Sequence, residues 1–212
     1  MKMKIVLATN NRNKIREIIE ILSARGGSAF GGKDLKAEIL TLNDFPNFPN
    51  PKETEKTLEE NAILKAKACY NFTKLPSMAD DSGLEVDALN KAPGVISARF
   101  AGPRSTYHDN NLKLLRLMKE VPKGKRNATF RCVVAIVLDS NNIKVVEGKV
   151  RGIITEEEIG PYGFGYDPVF YYPKLKKTFA QLTPEEKNRI SHRAIAFRKA
   201  KKILEEFADF GV

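Results

Sequence analysis

The chain begins with a short apolar run, Lys4-Ile5-Val6-Leu7-Ala8, whose length and polar flanks predict a buried strand. After a polar stretch, Ile15, Ile18, Ile19 and Leu22 recur at helical spacing, and Gly26-Gly27 marks the stop. Ile39-Leu40-Thr41-Leu42 predicts a second short strand, and the proline- and asparagine-rich residues 44–51 predict an exposed loop. Thr57 and Glu60 have the spacing of a capping box, opening a helix that runs to Tyr70. Leu84-Glu85-Val86-Asp87-Ala88-Leu89 alternates apolar and acidic residues, the pattern of a half-buried strand. Residues 109–118 read as a helix, with Leu112, Leu115 and Met118 apolar. Residues 128–138 and 143–154 are rich in β-formers, and Asp139-Ser140-Asn141-Asn142 between them reads as a hairpin turn. Thr183-Pro184-Glu185-Glu186 combines an N-cap, proline at the first helical position and two acids. The helix it starts extends to Phe207, with a break near Ser191.

Strands and helices alternate early and a long hairpin follows, so the fold class is α/β, a mixed central sheet flanked by helices. No stretch is rich enough in glycine, serine or proline to separate independent domains. Residues 1–212 therefore read as one domain, with loops 44–51 and 92–102 able to act as hinges between two lobes. No apolar run approaches the ~18 residues of a membrane span, and the first one is too short for a secretory signal. A cytoplasmic protein with no membrane partner is the expectation. Cys69 and Cys132 lie far apart in apolar surroundings and read as buried free thiols. A net charge of +10 points to an anionic partner: nucleic acid, a membrane surface or a phosphorylated small molecule. Much of it comes late, in Lys187, Arg189, Arg193, Arg198, Lys199, Lys201 and Lys202. A solvated helix face is the expectation for the last four.

Four constellations can carry chemistry. In Met78-Ala79-Asp80-Asp81-Ser82-Gly83-Leu84, two acids meet a Ser-Gly turn at the end of an apolar run. Oxygen ligands of this kind suit a hard metal ion or the activation of water. Adjacent residues of an extended segment point to opposite faces, so one acid faces a cleft and the other the scaffold. An ordinary turn explains the same residues equally well. Thr9-Asn10-Asn11-Arg12-Asn13-Lys14 joins a strand to a helix N-terminus, a favourable place for phosphate, although no Walker pattern is present. Phe164-Gly165-Tyr166-Asp167 offers aromatic faces and close backbone approach to a base, or an ordinary turn with buried rings. Lys187 with Ser191-His192-Arg193 offers donors to a base edge or a phosphate, or a hydrogen-bonded buried histidine. Together they point to a nucleotide site.

At these residues the chain resembles the inosine triphosphatase family, also called noncanonical purine NTP pyrophosphatases or XTP/dITP diphosphatases. The resemblance spans nearly the whole chain. It rests on Leu7 through Lys14, on Glu60-Asn61-Ala62-Ile63-Leu64-Lys65-Ala66 and on Ala79 through Leu84. It continues in Ala92-Pro93-Gly94-Val95 with Ser97-Ala98-Arg99-Phe100, in Gly163 through Pro168 and in Ser191-His192-Arg193. Asn10 stands where many members have glycine.

The resemblance implies Mg²⁺-dependent hydrolysis of inosine and xanthosine triphosphates to monophosphate and pyrophosphate, in the service of nucleotide-pool cleansing. Asp81 is then the catalytic acid and metal ligand, with Glu53 as its metal partner. Thr9, Asn10, Asn11, Arg12, Asn13 and Lys14 hold the triphosphate, with Asn61, Ser82 and Arg99 nearby. Phe164, Gly165, Tyr166 and Asp167 hold the base, and Lys187, His192 and Arg193 read its edge. A homodimer, an elongated two-lobed shape with a cleft, and no stable nucleic-acid partner are also implied. The rival readings are a basic nucleic-acid-binding module and a phosphatase that removes only the terminal phosphate.

Overall fold

The structure, a computed structural model, describes residues 3–23, 37–52 and 55–210. The strands are β1 (Met3–Leu7), β2 (Ala37–Thr41), β3 (Ser77–Val86), β4 (Asn127–Val137), β5 (Ile143–Ile154), β6 (Phe170–Tyr172) and β7 (Lys177–Thr178). The helices are α1 (Arg12–Ser23), α2 (Leu58–Thr73), α3 (Tyr107–Leu117), α4 (Pro184–Ile190) and α5 (His192–Phe210). The strands form one seven-stranded mixed sheet in the order β2-β1-β3-β4-β5-β6-β7. β1 is parallel to β2 and β3, while β6 is antiparallel to β5 and β7.

The chain divides into two units. The first comprises Met1–Asp81, Cys132–Gly148 and Arg193–Val212. Its core gathers Ile5 and Leu7 of β1, Ile18 and Leu22 of α1, Met78 of β3, Val134 and Ile136 of β4, and Phe197 and Leu204 of α5, all buried. The helical spacing of the α1 and α5 residues turns one stripe of each helix onto the sheet. The second unit comprises Ser82–Arg131 and Lys149–His192. Phe130 of β4 lies 4.4 Å from Phe170, 5.8 Å from Phe179 and 4.5 Å from the His192 ring, an aromatic cluster beside buried aliphatic residues such as Leu84, Leu114 and Val169. Arg126 is buried there, its guanidinium donating to the carbonyls of Met118, Val121, Ile154 and Thr155. Four acceptors satisfy a charge that burial would otherwise penalise heavily.

Four sequence expectations change. Asp80 to Gly83 is not a turn: β3 runs unbroken for 10 residues through it. Gly83 serves close approach, since a Cβ there would lie 2.5 Å from Gly94 O and 3.3 Å from Ser97 Oγ. Helix α1 starts at Arg12, so Arg12, Asn13 and Lys14 form its first turn rather than a loop. Asn11 causes this, its Oδ1 accepting the N–H groups of Asn13 (3.0 Å) and Lys14 (3.2 Å). Helix α3 starts two residues early because Thr106 caps it with Asp109, and the face it buries carries Leu114 while Leu112 is 50% exposed. The capping boxes at Thr57 and Thr183 and the break at Ser191 lie where the pattern places them. Of the four late basic residues expected on a solvated face, Lys201 is buried. Gly26-Gly27 lies outside the described residues.

Substituting Gly83→Ala should lower stability by about 1–3 kcal/mol, since a backbone carbonyl cannot yield as a side chain would. Thermal melts compare it with Gly124→Ala, where the added methyl meets nothing within 4 Å. Equal melting temperatures for the two variants would show that the approach of Gly94 is not tight.

Candidate active site

In the first unit the chemistry gathers on β3. Asp80 and Asp81 occupy successive strand positions, so they project to opposite faces. Asp80 is fully buried and is the scaffold-side acid. Its Oδ2 lies 2.9 Å from Lys14 Nζ and 3.8 Å from Arg193 Nε, and Cys132 Sγ approaches at 3.9 Å. Burial pushes the Asp80 carboxyl up, but Lys14, Arg193 and Lys65 outweigh it and hold the group well below the usual carboxylate range. Arg193 is buried too, and Glu17 of α1 closes the network with a 2.6 Å contact to its Nη1. Burial lowers the Arg193 pKa, and Glu17 and Asp80 more than reverse that.

Asp81 faces the other way, where Lys65 of α2 lies beside it. Lys65 Nζ donates to Asp80 O at 2.7 Å and lies 3.4 Å from Asp81 Oδ1. A carboxylate can serve as a ligand to a hard cation and, with a lysine beside it, can order a water; Ser82, the next strand position, projects to the face opposite Asp81. At the start of α1, Asn11 already takes two first-turn N–H groups, so phosphate affinity there rests on the Arg12 and Lys14 side chains more than on free amides. Thr9 Oγ1 accepts from Asn11 N–H, and Asn10 is exposed. Asn61 is buried and exchanges both amide groups with the backbone of Glu55, at 3.2 and 3.3 Å, which pins the segment entering α2. Glu53 lies outside the described residues.

In the second unit the loop over residues 160–168 is held by its own acid. Asp167 is buried, and its Oδ2 accepts from Phe164 N–H at 2.8 Å and from Lys187 Nζ at 2.5 Å. Lys187 Nζ also sits 4.8 Å from the centroid of the half-buried Phe164 ring, a cation–π contact. The turn needs Gly163 and Gly165, at φ +78° and +64°. Tyr166 is buried, with its hydroxyl donating to Ser97 O at 2.9 Å, and burial raises its pKa. Its ring is thereby part of the scaffold, which leaves Phe164 as the half-exposed aromatic face. His192 is buried in the stack on Phe130, and Arg99 is exposed on the 3₁₀ segment Gly94–Arg99.

Of the residues grouped by sequence, the structure brings together Lys14, Asp80 and Arg193, and separately Phe164, Asp167 and Lys187. Arg193, read from sequence with Lys187 and His192, keeps company with Glu17 and Asp80 instead. Sequence reasoning passed over Lys65, although its signal was visible: a lysine on the helical stripe of Leu58, Asn61, Ala62, Ala66 and Cys69, all buried. Glu17 was passed over likewise, three residues from Lys14 on the buried side of α1.

The first unit thus carries a buried acid among cations on its sheet, the second carries an aromatic–lysine loop, and Lys187, Arg193 and Lys201 are withdrawn from the surface. The Ham1 family model matches residues 5–203, and the chain belongs to that family. It is 48% identical to a dITP/XTP pyrophosphatase of Desulforamulus reducens, over 95% of this chain and 96% of that one. It is 46% identical to a dITP/XTP pyrophosphatase of Geobacillus kaustophilus, over 96% and 95%. Among solved structures, a HAM1 protein from Coxiella burnetii superposes with a TM-score of 0.83 at 38% identity, covering 96% of this chain and 99% of its own. The Ham1 protein of Staphylococcus aureus gives 0.82 at 39%, covering 96% and 98%.

Replacing Arg193→Met should cost on the order of 3–5 kcal/mol, the usual effect of deleting one partner of a buried ion pair. Urea unfolding at neutral pH measures it; a midpoint equal to the parent's would mean that the network does not carry stability.

Proposed function

We propose that the chain is a nucleoside-triphosphate pyrophosphohydrolase that converts inosine and xanthosine triphosphates, ribo or deoxy, to monophosphate and pyrophosphate, and so clears the nucleotide pool of them. The observation that carries this reading is Asp81 with Lys65 beside it, one residue from an acid already neutralised by Lys14 and Arg193. That arrangement leaves one acid for chemistry and supplies cations for phosphate. The names of the relatives, dITP/XTP pyrophosphatase, support the same reaction and substrates.

Mg²⁺ is the metal in this reading. The donor set is all oxygen, and no three His, Cys, Asp or Glu side chains converge among the described residues. One or two carboxylates suit Mg²⁺ where substrate phosphates complete its shell. Asp81 would hold it from β3, with Glu53, which lies outside the described residues, as the second carboxylate; when bound, it neutralises charge on the phosphate oxygens. Asp81 orders the attacking water and accepts its proton. Lys65, tethered to Asp80 O, keeps the Asp81 side chain in place. Arg12 and Lys14 bind the pyrophosphate that leaves, with Thr9, Asn10, Asn11, Asn13 and Arg99 shaping the same triphosphate site.

For the base, Phe164 supplies the stacking face, and Lys187 and His192 supply donors. A 6-keto oxygen accepts from such donors, whereas a 6-amino group leaves them unmatched. That costs roughly 1–3 kcal/mol per group, or ~10- to 100-fold in discrimination. The tie of Arg193 to Glu17 and Asp80 supports placing it with the acid, as a residue that fixes β3 against α1. A homodimer belongs to the same reading, with the exposed Ile96, Leu112 and Leu117 offering apolar surface. So does a cytoplasmic location, since two buried free thiols suit a reducing compartment.

The test is hydrolysis of dITP, XTP, dATP and dGTP with Mg²⁺ and with EDTA, identifying both products. Monophosphate plus pyrophosphate, fastest from dITP or XTP and abolished by EDTA, is expected. Asp81→Asn should reduce turnover at least ~10³-fold with an unchanged circular dichroism spectrum, the scale of losing a group that acts only in the transition state. Orthophosphate as product would reassign the reaction, and near-parental turnover of the variant would remove Asp81 from its role.

A further inference from the structure

We propose that Asn111 of α3 is a positioning residue for the base-recognition loop, holding the Phe164 face in register through the carbonyl of Gly165. The inference rests on the reading of Phe164 as the stacking face.

Asn111 is 1% exposed, and its Nδ2 donates to two acceptors: Glu158 Oε1 at 2.6 Å and Gly165 O at 3.1 Å. Both partners are oxygens that can only accept, so the amide has one workable orientation, NH₂ toward them. Its own Oδ1 is then buried, without a hydrogen-bond partner among the described residues. A buried, unmatched acceptor costs stability. An apolar side chain of similar size would avoid that cost, so the use of asparagine here lies in its two donors.

Those donors act where the loop most needs an outside hold. Gly163 and Gly165 are both at positive φ, and glycine imposes little of its own preference on the backbone. Asp167 fixes the N–H of Phe164 on one side, and the hydroxyl of Tyr166 fixes the other side to Ser97. The peptide between Phe164 and Tyr166 is left, and Asn111 takes its carbonyl. The support for Asn111 is doubled. Glu158 Oε2 contacts His108 Nδ1 at 2.6 Å, so α3 grips Glu158 from two successive turns. The Tyr107 ring, on the same helix, lies 5.9 Å from the Phe164 ring at 44°. One helix end thus addresses the loop by a carbonyl hydrogen bond, a carboxylate bridge and an aromatic contact.

Asn111→Leu, Glu158→Ala, Glu158→Gln and Phe164→Ala test this with dITP and dATP as substrates. Asn111→Leu should raise KM for dITP about 10-fold, the usual scale for losing one or two hydrogen bonds, with kcat changed less than about 3-fold. The preference for dITP over dATP should shrink, and the amides of residues 163–166 should exchange hydrogen faster. Glu158→Ala should show a smaller change in the same direction, and Glu158→Gln, which can still accept from Asn111, should stay near parental. If Phe164→Ala raises KM while Asn111→Leu and Glu158→Ala leave KM, preference and exchange unchanged, the positioning role is overturned and the base reading stands. A loss of melting temperature or of kcat alone in Asn111→Leu overturns it as well. If Phe164→Ala is also without effect, the stacking face itself is misassigned and the proposal falls with it.

Discussion

A carboxylate withdrawn from water must be compensated or it will not stay charged, and Asp80 is the point in this protein where that demand is strictest. Taking a carboxylate out of water costs several kcal/mol even after relaxation. Compensation comes from α1 through Lys14 and from α5 through Arg193, while α2 contributes Lys65 at the adjoining backbone carbonyl. Three helices are therefore committed to one strand by charge as well as by apolar packing. The direction in which Asp81 points follows from this commitment. With Asp80 fixed inward, strand alternation delivers the next side chain to the opposite face.

The second unit solves a different problem. Its loop over residues 160–168 contains glycines that have no strong local preference, so its shape is imposed from outside. Asp167 turns inward to hold Phe164 and Lys187, Tyr166 reaches Ser97, and Ser97 in turn accepts from Leu84 N–H at 2.9 Å. Rigid neighbours hold a flexible segment, so its geometry is borrowed from β3, α3 and α4.

Much of the fold was legible because it follows local rules. The capping boxes at Thr57 and Thr183, the hairpin at Asp139–Asn142 and the break at Ser191 depend on residues within a few positions of one another. What failed locally was decided at a distance. Asp80-Asp81-Ser82-Gly83 has turn chemistry, yet it is strand because pairing and burial override propensity. The glycine answers to Gly94 rather than to a turn. The early start of α1 was obscured because Asn11 looked like part of a loop rather than its cap. In the site, the polar motifs were visible as residues but not as partners. Arg193 sits next to His192 in sequence, and nothing in that adjacency shows that its guanidinium belongs with Glu17 and Asp80. Lys65 and Asn111 were visible as residues on α2 and α3, but nothing local showed which partners they would meet.

The ion network joins positions that meet late. Arg193 and Glu17 are 176 positions apart, and Asp80 lies between them in the chain. During synthesis, β1, α1, α2 and β3 are all available long before α5 exists. Until then Asp80 has beside it only the cations of α1 and α2, Lys14 and Lys65. Contacts of such long separation slow folding and leave the early sheet exposed in the meantime. The acid that ties the finished unit together therefore gains its last cation only once the final helix has been made.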